Sequence, residues 1–151
     1  MKRAGVRKDP GSDHDPSEDF TSICSAELPP LLPEGEYECV FQRVEKKMLS
    51  GRMKLFLWFR VVSHGEWFGQ EVYIPCNYPR RITPALKYYK MWVIAEGRRP
   101  KRNDRMSVSV FKNKAFLVRI RTVRKNWKQQ ALTPELQYSV GDDIIKKIAG
   151  S

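Results

Sequence analysis

Residues 52–62, Arg-Met-Lys-Leu-Phe-Leu-Trp-Phe-Arg-Val-Val, decide the fold class of this chain. Apolar side chains recur at every second position, and a period of two residues predicts a β-strand. One face of that strand is apolar, with Met53, Leu55, Leu57, Phe59 and Val61. The other face alternates charge with aromatic rings, with Lys54, Phe56, Trp58 and Arg60. The stretch therefore predicts a strand that buries one face in a core and presents rings and cations on the other.

Similar patterns on either side predict a mainly β domain. A first strand is predicted over 37–46, before the turn residues Ser50 and Gly51, and a third over 69–76, after a turn at 63–65. Alternation then predicts a fourth strand over 115–123, and residues 132–140 a last strand or extended segment. Residues 142–148 fit a short amphipathic helix, and the pattern of 106–111 leaves strand and helical turn open.

The period becomes helical between the third and fourth strands. Thr83 stands at a helix N-cap position before Pro84, and Gly97 stands where a helix would end. The residues between them include an apolar stripe at helical spacing, formed by Leu86, Tyr89 and Val93 with Ala85 and Trp92 alongside. These signals predict one helix between Thr83 and Gly97, with Tyr88 and Tyr89 as packing residues.

The first 34 residues differ in composition from the rest. They hold five prolines, four basic and seven acidic residues, and one aromatic residue, Phe20. Such a composition buries too little apolar surface to order itself. The prediction is a flexible, acidic, proline-rich tail over 1–34 and a folded domain over 35–151, with Leu28 to Leu32 placed to lie against the domain.

The charge of the chain is strongly basic and clustered. It has 28 Lys and Arg against 17 Asp and Glu, a formal net charge of +11, and a pI near 9.8. Residues 98–128 carry twelve of the basic residues and one acidic residue, Asp104. A clustered positive field is typical of proteins that bind polyanions, nucleic acid first and anionic membrane second. A basic, solvated surface is the alternative.

The sequence contains no recognisable motif for catalysis or for metal or cofactor binding. Cys24, Cys39 and Cys76 form no C-x-x-C pair, and His14 and His64 complete no zinc-ligand pattern. Phosphate-binding loops and dinucleotide fingerprints are missing as well. We therefore expect a binding protein with no cofactor, not an enzyme. Three unpaired thiols, no secretory signal and no apolar run of roughly 20 residues predict a soluble protein of a reducing cytoplasm.

The predicted order of elements is strand, strand, strand, helix, strand, strand, which is the order of the OB-fold. An OB-fold is a five-stranded barrel that binds nucleic acid on strands two and three, flanked by the loops that join strands one to two and four to five. All three regions carry cations or rings, so single-stranded nucleic acid is the predicted ligand, with phosphates on Lys and Arg and bases stacked on rings. The predicted binding residues are Lys46, Lys47, Arg52, Lys54, Phe56, Trp58, Arg60, Tyr73, Arg119, Arg121, Arg124, Lys125, Trp127 and Lys128.

Three short motifs lead into the predicted strands: Leu32-Pro-Glu-Gly-Glu-Tyr, the Gly65 to Gly69 turn, and Phe111-Lys-Asn-Lys-Ala-Phe. With them, residues 35–145 resemble phage and mobile-element single-stranded DNA-binding proteins of the OB-fold type. The resemblance implies sequence-tolerant binding of single-stranded DNA in replication, recombination or transfer of such an element. Many bacterial single-strand binders end in an acidic tail that recruits partners. Here the acidic segment is Asp9 to Asp19, at the other end of the chain, and it is the expected contact for a protein partner.

Other interpretations of the same residues stay open. Phe56 and Trp58 fit a core or a dimer interface as well as base stacking. The run from Arg98 to Arg105 fits a loop that adds affinity or a plain solvated loop. The same groove would serve an RNA-binding OB domain, and a barrel with a proline-rich tail would also serve as a protein–protein adaptor.

Overall fold

The computed structural model describes residues 31–150 and confirms the mainly β prediction. The elements are β1 (Gly35–Leu49), β2 (Arg52–Val61), β3 (Glu71–Asn77), α1 (Lys87–Glu96), β4 (Ala115–Val123) and β5 (Tyr138–Ala149). Short 3-10 turns lie at Asn103–Arg105, Val108–Phe111 and Pro134–Leu136. The second of these turns accounts for most of the segment 106–111 that the sequence pattern left open.

The five strands form one antiparallel sheet in the order β3-β2-β1-β4-β5. The long strand β1 is shared: its first residues, from Gly35 to Val40, pair with β4, and residues from Cys39 to Leu49 pair with β2. A bulge between Phe41 and Arg43 marks the change of partner. Because a bulge bends the strand and increases its twist, β1 turns the sheet back on itself.

The sheet is open over residues 31–150, since no hydrogen-bonded ladder joins β3 to β5. The prediction of a closed five-stranded barrel is therefore corrected. The ammonium of Lys87 lies between the two edges and donates to the carbonyl oxygens of Asp142 (2.8 Å) and Pro75 (3.5 Å). These carbonyls are satisfied by a side chain, and Pro75 has no N–H with which to extend a ladder.

The two edge strands nevertheless touch. A Cβ atom placed on Gly141 of β5 would lie 2.5 Å from Cγ1 of Ile74 and 3.2 Å from the carbonyl oxygen of Tyr73, both on β3. Only a residue without a side chain allows this approach. The edges therefore meet by packing where they do not meet by pairing.

The apolar face of β2 lies in the main core, as its alternation predicted. Leu55, Leu57, Phe59 and Val61 are buried there, together with apolar residues of every other strand and of α1. Aromatic rings pack edge to face through its centre, at 5.8 Å for Phe41 with Phe59 and 6.0 Å for Phe59 with Phe116. Such contacts add to the stabilisation from buried apolar area.

The helix α1 begins later than predicted. Leu86 is its N-cap, and residues 83–86 form a turn in which the Leu86 N–H donates to the Thr83 carbonyl, 3.1 Å away. The predicted N-cap at Thr83 is therefore wrong. The predicted stripe is confirmed in part, because Tyr89 and Val93 are half-buried and pack against the core, while Leu86 is the N-cap. The most deeply buried residues of the helix are Tyr88, Met91, Trp92 and Ala95, and Tyr88 and Tyr89 are packing residues as predicted. The centre of the buried face therefore lies one or two positions away from the predicted stripe.

The C-terminus of α1 is where the sequence placed it. Gly97 adopts a left-handed conformation (φ 89°) and its N–H donates to the Val93 carbonyl, 2.7 Å away. The buried Lys114 side chain donates to the Ala95 carbonyl at 2.9 Å. A cation at this position satisfies an unpaired carbonyl and opposes the negative end of the helix dipole. Desolvation by burial lowers the pKa of Lys114.

The predicted helix over 142–148 is wrong, since these residues belong to β5. The strand pairs with β4 along its whole length, across three register shifts. Ile144 is buried on the core side of this pairing. The predicted segment 132–140 is a loop with a 3-10 turn until β5 begins at Tyr138.

The folded part of the chain begins before residue 35. Leu32 is buried, and its N–H donates to the Ser139 hydroxyl oxygen at 2.8 Å. The expectation that the end of the leading segment packs against the domain is therefore confirmed for Leu32. Residues 1–30 of the predicted flexible tail lie outside the described residues.

Candidate nucleic-acid interface

A second apolar cluster covers the outer face of β2 and β3, where the nucleic-acid groove was predicted. This ring cluster consists of Phe56, Trp58, Tyr73, Tyr138 and Val140. The ring of Tyr73 lies 5.3 Å from that of Phe56 and 5.4 Å from that of Trp58. The exposed fraction is 3% for Phe56, 6% for Trp58 and 4% for Tyr73.

Polar neighbours engage the Trp58 ring in addition. The Arg43 guanidinium lies over the ring, 4.5 Å from its centroid, and is held there by a 3.3 Å ion pair with Glu71. The indole N–H donates to the Glu45 carboxylate at 3.0 Å. These contacts favour the core alternative for Phe56, Trp58 and Tyr73. A base would reach these rings only if the cluster opened. Direct stacking on Phe56, Trp58 and Tyr73 therefore stays a prediction, and their burial does not support it.

The β1–β2 hairpin brings three of the predicted cations to the same outer face. Its turn is Ser50-Gly51, and both residues have positive φ (52° and 76°), as the tight two-residue hairpin turn requires. Lys47 lies opposite Lys54 in the register, and Arg52 opposite Leu49. Lys46 points the other way, with its ammonium 5.5 Å above the Tyr78 ring centroid. The sequence placed Lys46, Lys47 and Arg52 in the loop between the first two strands, but Lys46 and Lys47 belong to β1, which runs to Leu49, and Arg52 is the first residue of β2. Lys46 is also separated from the predicted groove.

The β4–β5 loop holds Trp127 at the tip of an ordered turn. The Asn126 side-chain oxygen accepts from the N–H groups of Lys128 (2.9 Å) and Gln130 (3.0 Å), and the Asn126 N–H donates to the Gln130 carbonyl at 2.9 Å. Bonds of this kind are typical of Asn in turns. Trp127 is 41% exposed, and the Lys128 ammonium lies 5.1 Å from its ring centroid. The turn therefore presents an indole and a cation to solvent.

The two loops flank the ring cluster. Leu49, at the end of β1, packs against the cluster, and so does Leu132, at the end of the β4–β5 turn. On the outer-face side, the exposed cations of the β1–β2 hairpin and the β4–β5 loop that make no ion pair within residues 31–150 are Lys47, Arg52, Lys125 and Lys128. The arrangement is a buried apolar floor between two basic loops, one of which carries an exposed tryptophan.

The predicted arginines of β4 are closer to carboxylates than the sequence suggested. Arg119 lies in register between Glu36 of β1 and Asp143 of β5. Arg121 pairs with Asp142 at 3.2 Å. These acidic residues belong to neighbouring strands, so the charge of residues 98–128 alone overstates the local field.

Arg124 is likewise paired, with Glu34 at 3.1 Å. The same Glu34 carboxylate oxygen accepts from the Thr122 N–H at 2.9 Å. The hydrogen bond from the Thr122 backbone, followed by that from Arg124, lowers the pKa of Glu34. Arg124 therefore anchors the leading segment to β4 in addition to its predicted role toward phosphate.

The structure has two concave surfaces that the sequence did not predict, one beside the β1–β2 hairpin and one beside residues 98–105. The larger, about 820 Å³, lies on the Lys46 side of the hairpin and is lined by residues of three separated segments. The smaller, about 340 Å³, lies between the end of α1 and residues 98–105. No local pattern marks such a surface, because its lining comes together only when the loops fold against the sheet.

The thiols of Cys39 and Cys76 are buried and stay protonated at neutral pH. Burial raises the pKa of Cys39 to about 12 and that of Cys76 to about 12. A protonated thiol is neither a nucleophile nor a metal ligand. Residues 31–150 contain no group of three His, Cys, Asp or Glu side chains arranged to hold a metal ion. Cys39 and Cys76 are therefore packing residues, as the sequence predicted.

These thiols make stability depend on alkaline pH. Their pKa values are about 9.0 in the unfolded chain and about 12 when folded, so unfolding releases protons in between. The stabilisation is complete below pH 9 and is lost as the pH rises toward 12, at about 1.4 kcal/mol per pH unit for each thiol. Urea unfolding of the native chain and of the Cys39→Ala/Cys76→Ala variant, at pH 8 and pH 11, should show the steeper loss in the native chain. Equal losses would contradict this assignment.

Comparisons with protein-family models, curated proteins and solved structures gave no match to this chain. The resemblance to phage and mobile-element single-strand binders therefore stays a prediction. Within residues 31–150 no helix has the length and apolarity needed to cross a membrane.

Proposed function

We propose that this chain is a sequence-tolerant single-stranded DNA-binding protein of the OB-fold class. The observation that carries the proposal is Trp127, an exposed indole on an ordered turn between Lys125 and Lys128. An exposed tryptophan among cations is the combination that an unpaired, charged strand needs, because the base stacks on the ring while the phosphates meet the ammonium groups. Stacking tolerates every base, which is why little sequence preference is expected.

The strand order supports the fold assignment. One long strand pairs with both β2 and β4, and the helix lies between β3 and β4 in the chain. The edge strands β3 and β5 come into contact at Gly141, as they would in a barrel whose last seam is packed instead of paired. In an OB-fold the two basic loops described above border the ligand-binding face.

The binding mode is expected to combine charge with one exposed ring. Lys47, Arg52 and Lys54 share the outer face of the β1–β2 hairpin, and Lys125 and Lys128 belong to the β4–β5 loop, whose end, Leu132, packs against the ring cluster. The ring cluster supplies a rigid floor between them. The strand would therefore cross the outer face of β2 and β3, with one base against Trp127.

Competition binding tests the proposal. A fluorescently labelled oligo-dT is titrated with the full chain, and its anisotropy is followed with unlabelled duplex DNA and oligo-U as competitors. We expect single strands to compete and duplex to compete poorly. Effective competition by oligo-U would point to the RNA-binding alternative. Equal competition by duplex would overturn the proposal and favour a plain basic surface or a protein adaptor.

The loop cations should account for part of the salt dependence. In the Lys125→Gln/Lys128→Gln variant the slope of log K against log salt should fall by about 1.4, because each contact with single-stranded phosphate contributes about 0.7. The control is Lys90→Gln/Lys146→Gln, which removes the same charge from exposed positions on α1 and β5. An equal fall in both variants would show that only net charge matters.

A further inference from the structure

We propose that the strand-binding surface continues around the β1–β2 hairpin into a second nucleotide subsite, and this inference rests on the proposed function. The site is the 820 Å³ concavity, named here the hairpin groove; the residues that define it are Lys46, Met48, Met53, Tyr78, Arg80 and Arg105. Its ligand would be one or two nucleotides of a bound single strand. Cavities of about 300–1,000 Å³ are the size that small ligands occupy.

The hairpin groove is built from segments that are fixed to one another. The Tyr78 N–H donates to the Met53 carbonyl at 3.0 Å, which ties the residue after β3 to β2. On the opposite wall the Asn103 side-chain amide donates to the Ile82 carbonyl at 3.0 Å. The Tyr78 ring packs edge to face on the buried Tyr88, with centroids 5.2 Å apart. Two hydrogen bonds and the core beneath Tyr78 therefore fix the walls of the groove.

Its chemistry is an apolar floor with a cationic rim. Met48 is 60% exposed although it is apolar, and Met53 lies opposite it in the strand register. Lys46, Arg80 and Arg105 form the rim, and within residues 31–150 none of the three makes an ion pair. An apolar floor beside unpaired cations suits a ligand that is flat and apolar at one end and anionic at the other, as a nucleotide is.

The single carboxylate of the groove does not neutralise this rim. Asp104 accepts two hydrogen bonds from Arg102, at 3.1 Å and 2.7 Å, so its charge is already compensated locally. The Lys46 ammonium lies above the Tyr78 ring, an arrangement worth little at an exposed site and readily exchanged for a phosphate. A base would then stack on the face of the Tyr78 ring that the Lys46 ammonium had covered.

The groove lies between two basic regions of the surface, which are the outer face of the hairpin and the run from Arg98 to Arg105. Lys46 and Lys47 are adjacent in β1 but lie on opposite faces, so a strand on the outer face reaches the groove by passing over the hairpin. Arg105 lines both the groove and the smaller 340 Å³ concavity, whose other cations are Arg98, Arg99, Lys101 and Arg102. The basic run from Arg98 to Arg105 thus lies where a strand would leave the groove, which gives it a role beyond solvation.

An oligo-dT length series tests this path on the full chain. Lengths should bracket the range of about 4–16 nucleotides that one OB-fold covers. The groove variant is Lys46→Gln/Arg80→Gln/Arg105→Gln, and its matched control is Lys90→Gln/Lys112→Gln/Lys146→Gln, since all six side chains are exposed. We expect the groove variant to bind the shortest oligomers as the native chain does and to bind the longest at least about tenfold more weakly.

The salt slope of the groove variant should fall by about 2 on long oligomers, and on short ones it should not change. A groove variant that matches the control at every length would overturn the proposal. If the proposed function itself were wrong, the native chain would show no preference for single strands over duplex at any length. That result differs from a groove variant that matches its control, so the two failures are distinguishable.

Photo-crosslinking locates the strand without a change of charge. Oligomers with 4-thiothymidine at one position are crosslinked to the native chain, and the peptides are mapped by mass spectrometry. Crosslinks to Tyr78 or Met48 with long oligomers, in addition to Trp127, are expected. Crosslinks confined to the β4–β5 turn at every length would contradict a path through the hairpin groove.

Discussion

Replacement of Trp58 by alanine is expected to lower the free energy of unfolding by about 3–5 kcal/mol, the usual cost of removing a large buried aromatic side chain. The ring contacts Tyr73, carries Arg43 on its face, and donates a hydrogen bond to Glu45. Its removal leaves a cavity on the outer face of β2, and the Glu45 carboxylate loses its donor. Urea unfolding followed by circular dichroism measures the change.

The matched variant is Trp127→Ala. Trp127 is exposed on a loop, so the free energy of unfolding should change by less than about 0.5 kcal/mol. Its effect should appear in oligo-dT binding, which we expect to weaken by about 1–3 kcal/mol, as the loss of one stacked base does. If Trp58→Ala were as stable as the native chain and bound oligo-dT poorly, Trp58 would be a stacking residue after all.

Replacement of Gly141 by alanine is expected to destabilise the chain by about 1–3 kcal/mol, because it overpacks the seam between β5 and β3. The new Cβ would lie 2.5 Å from Cγ1 of Ile74, a buried β-branched side chain with few other rotamers. Valine at the same position should cost more. Equilibrium urea unfolding of both variants measures which substitution lowers the free energy of unfolding more.

A double-mutant cycle separates this clash from the intrinsic preferences of glycine and alanine. In the Ile74→Ala background the atom that blocks the new Cβ is gone, and only the Tyr73 carbonyl at 3.2 Å remains close. The Gly141→Ala change should then cost clearly less than in the native background. The same cost in both backgrounds would mean that the edge strands do not pack as described.

The alternation of residues 52–62 was enough to predict the two faces of β2, and the apolar face lies in the core. It could not predict what covers the other face. Tyr138 and Val140, which complete the ring cluster, belong to a strand that reaches this face only through pairing with β4. Stacking on Phe56 and Trp58 was therefore predicted from a strand considered without its distant neighbours.

The end of the chain shows how pairing overrides local periodicity. Ile144, Ile145 and Ile148 are spaced as on one face of a helix, and the sequence interpretation followed that spacing. The structure places them in β5, where register shifts against β4 change which side each residue faces. Those shifts depend on the partner strand, so no window of sequence contains the information.

Predictions from turn and cap residues were correct where the conformation depends on neighbouring residues in the sequence. Ser50-Gly51 forms the predicted hairpin turn and Gly97 ends the helix, and Gly51 and Gly97 both have the left-handed backbone that favours glycine. The predicted basic loop around Trp127 is also a turn governed by its own sequence, through Asn126. The hairpin groove was missed because Tyr78, Arg80 and Arg105 carry no spacing in common.

The most direct test of the central claim is the intrinsic tryptophan fluorescence of the chain during titration with oligo-dT, at two salt concentrations. Three of the four tryptophans are at least partly covered, and Trp127 is the exposed one. We predict that oligo-dT quenches the fluorescence, that duplex DNA does not reverse the quenching, and that Trp127→Phe removes most of it while oligo-dT still binds. Binding of oligo-dT and duplex alike, without quenching and lost at moderate salt, would contradict the account and leave only a basic surface.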